Sequence, residues 1–163
     1  MKTTLWMAAI SILLSGMVWA QPNTSPFDTW KSARAQAEDA GLSRVASQFF
    51  SPSFLQHIQW PKKGRAVEGW LRYPLFLVDD LHQWHEKRVG EHACLLLNGY
   101  TEAGRAATVS LRFVHSDDDG RWLIDRFGSL ESETNYRFPE QALCPDELEG
   151  RPTSGQVPDD QNG

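Results

Sequence analysis

The apolar residues of this chain change their spacing partway along it, and that change restricts the fold more than any other feature. Between Phe27 and Tyr73 they recur every three or four residues, the period of a helix face; from His92 onward they alternate or run together, the period of strands. Phe27, Trp30, Ala33 and Ala37 form one stripe that stops at Gly41, and Leu42, Val45, Ala46, Phe49 and Phe50 form a second. Ser51-Pro52 is a helix start, with Ser51 as N-cap and Pro52 in the first turn, leading into Phe54, Leu55 and Ile58. Arg65 to Tyr73 reads as one more helix, with Val67, Trp70 and Leu71 inward and Pro74 ending it. Leu75 to Val78 either finishes that helix or opens a strand.

Ala93–Leu97 is apolar on both faces, which predicts a strand covered by helices on one side and by something else on the other. Ala107, Val109, Leu111 and Phe113 alternate with Thr108, Ser110 and Arg112, giving a strand over Ala106–His115. Asn98-Gly99 and Ala103-Gly104 supply the bend between the two strands. Asp117-Asp118-Asp119-Gly120 supplies the next, leading into a last strand over Arg121–Gly128. Helices followed by an antiparallel meander make an α+β domain, with N-terminal helices packed in the concave face of one curved sheet, a cone-like form.

The chain ends carry a different message. Lys2, the apolar stretch Leu5–Leu14, the Gly16 break and Val18-Trp19-Ala20 follow the signal-peptide pattern, so residues 1–20 are expected to be removed on export to a periplasmic or extracellular space. The apolar stretch is shorter than the roughly 20 residues a spanning helix needs, so no membrane insertion is expected after cleavage. Residues 21–26 form a flexible leader, residues 27–138 a single domain, and residues 139–163, rich in Pro, Gly and acidic side chains, a largely disordered tail. Losing Lys2 reduces the 16 basic residues to 15 against 21 acidic ones, a sign that argues against nucleic acid or an anionic membrane as partner. After export the two cysteines, Cys94 and Cys144, favour a disulfide over two free thiols.

Two runs resemble a known family. Val45-Ala46-Ser47-Gln48-Phe49-Phe50-Ser51-Pro52-Ser53-Phe54 resembles the second-helix segment of nuclear transport factor 2-like (cystatin-like cone) proteins, and Asp119-Gly120-Arg121-Trp122-Leu123-Ile124-Asp125 resembles their closing strand. The resemblance covers about Phe27 to Ser132 and implies a cone whose open end is the place to look for function. That family holds isomerases and cyclases beside non-catalytic binding domains.

Candidate chemistry is sparse. His82 and His85, with Asp79, Glu86 or His92, would bind zinc if the pair shared a helix face, but in a strand they point to opposite sides, and a solvated polar connector explains the segment better. The three aspartates 117–119 lack the alternating spacing of a calcium loop. His115 and Asp125 share strand parity with core positions and are the candidates for an acid or base in the cone, with Tyr100 and Tyr73 as hydrogen-bond donors. No cofactor motif is present. Trp60 and Trp84 stand outside the periodic stripes and are the candidates to line a pocket or interface, whereas Trp30, Trp70 and Trp122 are expected in the core.

The reading these features favour is a non-enzymatic binding or interaction domain that engages a hydrophobic small molecule or a protein. Its surface is either the open end of the cone or the outer sheet face around Leu95 and Leu97, which a partner, a homodimer or the tail tethered by Cys144 would cover. An envelope immunity or inhibitor protein is a narrower form of it. The alternative is a small enzyme with an acid or base group inside the cone.

Overall fold

A computed structural model describes residues 24–61, 65–132 and 136–151. The expected signal peptide and the last residues of the tail lie outside these. Four helices come first: α1 (Pro26–Ala40), α2 (Leu42–Phe49), α3 (Pro52–His57) and α4 (Arg65–Phe76). Four antiparallel strands follow in simple meander order, β1 (Asp80–Val89), β2 (His92–Tyr100), β3 (Ala106–His115) and β4 (Trp122–Ser132), and a short helix α5 (Pro145–Glu149) closes the described chain. The protein is therefore α+β, with its helices ahead of a curved antiparallel sheet.

Local chemistry explains the helix boundaries. Ser25 Oγ accepts from the Asp28 amide at 3.1 Å and Ser51 Oγ from the Phe54 amide at 3.1 Å, so each hydroxyl satisfies an orphan amide just ahead of a proline that begins the helix. The cap of α1 thus falls at Ser25, inside the stretch expected to be a loose leader. Gly41, at φ 85°, ends α1 in a conformation open mainly to glycine. Pro74 does not end α4, as the spacing suggested, but sits in its final turn. Its freed neighbourhood is used, because the Pro74 carbonyl accepts from Trp30 Nε1 at 3.1 Å and locks α1 to α4.

Two layers of packing lie on the sheet. On the helix side Trp30, Ala33, Val45, Phe54, Leu71 and Leu75 bury against Leu95, Leu97, Val109, Leu111, Phe113 and Ile124. On the other side Cys94, Leu96, Asn98, Thr108 and Ser110 are fully buried as well, and what covers them is the chain's own C-terminal segment. Cys94 is disulfide-bonded to Cys144. Asn98 Nδ2 donates to the Pro139 carbonyl at 2.9 Å, Ser110 Oγ to the Leu143 carbonyl at 2.5 Å, and Tyr136 Oη to Thr108 Oγ1 at 2.9 Å. Leu148 of α5 is fully buried, and Arg126 of β4 meets Asp146 at 2.7 Å.

These contacts revise three expectations. The domain does not end at Phe138: residues 136–151 form an ordered strap, since sheet side chains satisfy the strap's carbonyls and compensate for its shortage of apolar residues. Residues 79–92 are not a connector but mostly an edge strand, whose helical-looking polarity reflects partial exposure of both faces. The last strand runs to Ser132, beyond the expected Gly128.

Candidate functional site

The helices do not cover the sheet evenly. Leu71 and Leu75 turn the buried face of α4 toward the core, and Trp70 and Tyr73, one step round the helix, flank it at 50% and 45% exposure. Across from them lies the second half of β4, where Phe127, opposite the core residue Leu111, points toward the helices. Trp70 meets the Phe127 ring edge-on at 5.7 Å and Tyr73 lies 6.4 Å from it. Together with Gly69 and Ser129 they line a cleft of about 370 Å3, of the size that holds a small apolar group.

Polar clefts continue this one at both ends. Toward the start of β4, Trp70 and Phe127 are shared with a cleft that also holds Ser53, His57, Arg112 and Asp125. Toward its end, Tyr73 is shared with one that holds Arg72, Thr101, Arg105 and Glu131. A row of three adjoining clefts, a segmented groove, therefore follows α4 and β4 with Trp70, Tyr73 and Phe127 as shared walls. Glu131 stands six positions beyond Asp125, which makes the groove about 20 Å long at strand rise.

The carboxylates of Asp125 and Glu131, at the two ends, are each paired with an arginine. Asp125 accepts from Ser51 Oγ at 2.8 Å, from Ser53 Oγ at 2.6 Å, and from Arg112 Nε and Nη2 at 3.1 and 2.5 Å. Burial pushes its pKa up, but the bonds from Ser53, Arg112 and Ser51 outweigh it, and the carboxyl is held below the ordinary aspartate range. At the other end Arg105 Nη2 approaches Glu131 Oε2 at 2.6 Å, without the alignment of a hydrogen bond, and Tyr73 Oη donates to Oε1 at 3.4 Å. A carboxylate kept ionised with its lone pairs occupied is a poor proton acceptor near neutrality, so Asp125 is a structural anion rather than the acid or base its parity suggested.

The other sequence candidates scatter. His115 is exposed at the end of β3, its ring 3.7 Å from that of its cross-strand partner Trp122, and it lines none of these clefts. Tyr100 ends β2 and packs against Phe138 of the strap. His82 also stacks on Phe138, while His85 lies beneath the strap beside Glu140 and Gln141, its Nε2 buried without a partner. Among the described residues no three His, Cys, Asp or Glu side chains gather as a metal site would require. Trp84 is 43% exposed, stacked on Phe27 at 4.2 Å, and Trp60 is partly buried against the core. Leu95 and Leu97 are buried under the helices and offer no surface, and the outer face of their strand is taken by the strap. The expected dimer contact through Leu95 and Leu97 themselves is therefore closed off, because both side chains are buried within the chain.

Sequence periodicity placed Trp70 in the core. The signal against it was available: Val67, Leu71 and Leu75 already complete a stripe at four-residue spacing, and Trp70 and Tyr73 form their own pair three residues apart on its flank.

Compared with protein-family models, curated proteins and solved structures, the chain gives no significant match. Among the described residues no helix is long and apolar enough to cross a membrane.

Proposed function

We propose that this is an exported, non-enzymatic binding protein whose groove between α4 and β4 takes an apolar group of a ligand or partner. The observation that carries the reading is the aromatic trio. Trp70 and Tyr73 are half exposed on a helix whose neighbouring face is buried, and together with Phe127, which they meet, they line an open cleft. Half-exposed aromatic side chains at one concave place forgo about half of the roughly 1.5–3 kcal/mol that full burial of each would bring, and such clustering marks binding sites. The signal-peptide pattern of residues 1–20 and the Cys94–Cys144 bridge support export. The finer architecture we favour is cone-like, of the nuclear transport factor 2-like kind, with this groove at the open end; element order and the two sequence runs support it.

The test is a fluorescence titration with anilinonaphthalene sulfonate, comparing wild type with Trp70→Ala and Tyr73→Ala. Binding weakened about tenfold or more in either variant, with unchanged thermal unfolding, is the expected result. Equal binding by all three proteins, or none by wild type, would remove the groove as a site.

A further inference from the structure

The two edges of the sheet are finished differently. Edge β1 is loaded with charge, at Asp80, Glu86, Lys87 and Arg88, and α1 reaches it: Phe27 stacks on Trp84 while its amide donates to Glu86 Oε1 at 2.7 Å. Those are the usual protections of an exposed strand. Edge β4 lacks them over Phe127-Gly128-Ser129-Leu130, four consecutive residues without charge or proline.

That edge is already used once, by the chain itself. Phe50 forms a parallel bridge with Ile124, and the Ser51 amide donates to the Ile124 carbonyl at 2.8 Å before Pro52 turns the chain away into α3. Beyond Ile124, as far as Leu130, no described residue hydrogen-bonds the outer edge of the β4 backbone. Residues Asp125 to Ser132 are exposed or half-buried, apart from Gly128, which lies under Pro145.

We propose that the occupant of the groove is an extended peptide segment of another protein, which adds to β4 as a further strand where Ser51 leaves it. The inference rests on the groove being a binding site, as argued above, and names what it binds. Main-chain bonds to Arg126–Leu130 set the register. Every second side chain of the added strand faces α4, and an apolar one enters the cleft of Trp70, Tyr73 and Phe127. The charges on the strands beside the aromatic cleft are paired within the protein, Arg112 with Asp125, Arg105 with Glu131, and Arg126 with Asp146, and Arg72 farther along lies over the Phe76 ring. The part of the segment that lies over the aromatic cleft is therefore uncharged and alternately apolar, since Gly69, Trp70, Tyr73, Phe127 and Ser129 line that cleft without a charge.

The experiment uses end-blocked peptides in which threonine alternates with leucine, valine, phenylalanine or tyrosine, and the same peptides N-methylated on alternate backbone amides. Binding is read by calorimetry and amide exchange by mass spectrometry. The expected outcome is binding by at least one plain peptide, slowed exchange confined to Arg126–Leu130, and affinity about tenfold or more lower for an N-methylated form whose side chains are unchanged. Plain and methylated peptides binding alike, or binding without slowed exchange on β4, would overturn strand addition and leave the groove reading intact. No peptide binding while the dye still binds through Trp70 would do the same. Failure of both peptide and dye would remove the two readings together. A doubled native mass with β4 already protected in the absence of peptide would assign the edge to a second copy and overturn the proposal.

Discussion

Reducing the Cys94–Cys144 bridge should destabilise the protein by about 4 kcal/mol without unfolding it at room temperature. The cysteines are 50 residues apart, and in the chain-entropy account closing a loop of that length restricts the unfolded ensemble by about 14 cal/mol/K, hence about 4 kcal/mol at 298 K. The folded strap keeps its other attachments in the reduced protein, namely Leu148, the bonds from Asn98 and Ser110, and the pairing of Arg126 with Asp146. The loss therefore falls on the unfolded state more than on native contacts. Urea unfolding followed by tryptophan fluorescence, with and without reductant, measures it. With a urea dependence of about 1.5 kcal/mol/M, the midpoint should fall by about 2–3 M. Dye binding in the groove should be unchanged, because the strap lies on the opposite face of the sheet. A midpoint shift under about 0.5 M would refute the reasoning, since the bridge would then add nothing to an already docked strap.

Other consequences can be checked on the same protein. Asp125→Asn leaves the Ser51 and Ser53 hydroxyls an acceptor but strips Arg112 of its anion, and should cost about 2 kcal/mol of unfolding free energy, less than a fully buried pair because Arg112 is partly exposed. The same carboxyl has its folded pKa held below the ordinary aspartate value; its contribution is complete above the unfolded pKa and is lost as pH falls through the folded one. Wild type should thus lose stability below about pH 4 more steeply than Asp125→Asn. Gly99→Ala would place a Cβ 2.1 Å from the Asp80 carbonyl oxygen and 2.7 Å from Val78 Cγ1, so β1 must shift and thermal unfolding should show a loss of about 3 kcal/mol.

How much was legible in the sequence follows from which force placed each element. The three leading helices, β2 and β3 were readable because one repeat ran through each, with the Ser51-Pro52 cap agreeing at α3 and Val109, Leu111 and Phe113 alternating along β3. The Ser25 cap was missed because the prolines around it read as a loose leader. The doubly apolar β2 also announced a cover on both sides. What hid was whatever depended on a neighbour far along the chain. The polarity of β1 makes sense only once Phe27 and the strap lie against it. The strap itself carries few apolar residues because Asn98, Ser110 and Tyr136 hold it through hydrogen bonds, which leave no periodic trace. Asp125 looked inward by parity, but the register shift between Arg112 and Phe113 turns it to the β4 edge beside Ser51.

The strap also explains how an open groove can be sustained. A chain of this size has little stability to spare, and leaving Trp70 and Tyr73 in water forgoes apolar burial that an ordinary core would collect. The covered outer face offsets that loss in two ways, by burying Leu96 and Leu148 and by restricting the unfolded chain through the bridge. It also decides where a partner can sit. With helices on one face, the strap on the other and α1 against the charged edge β1, the uncharged edge left to solvent among the described residues is β4, beside the three aromatic rings. A structural reason for the strap and a functional reason for the groove are thus the same arrangement seen from its two sides: the face closed covalently by Cys144 is what allows the face beside Phe127 to stay open.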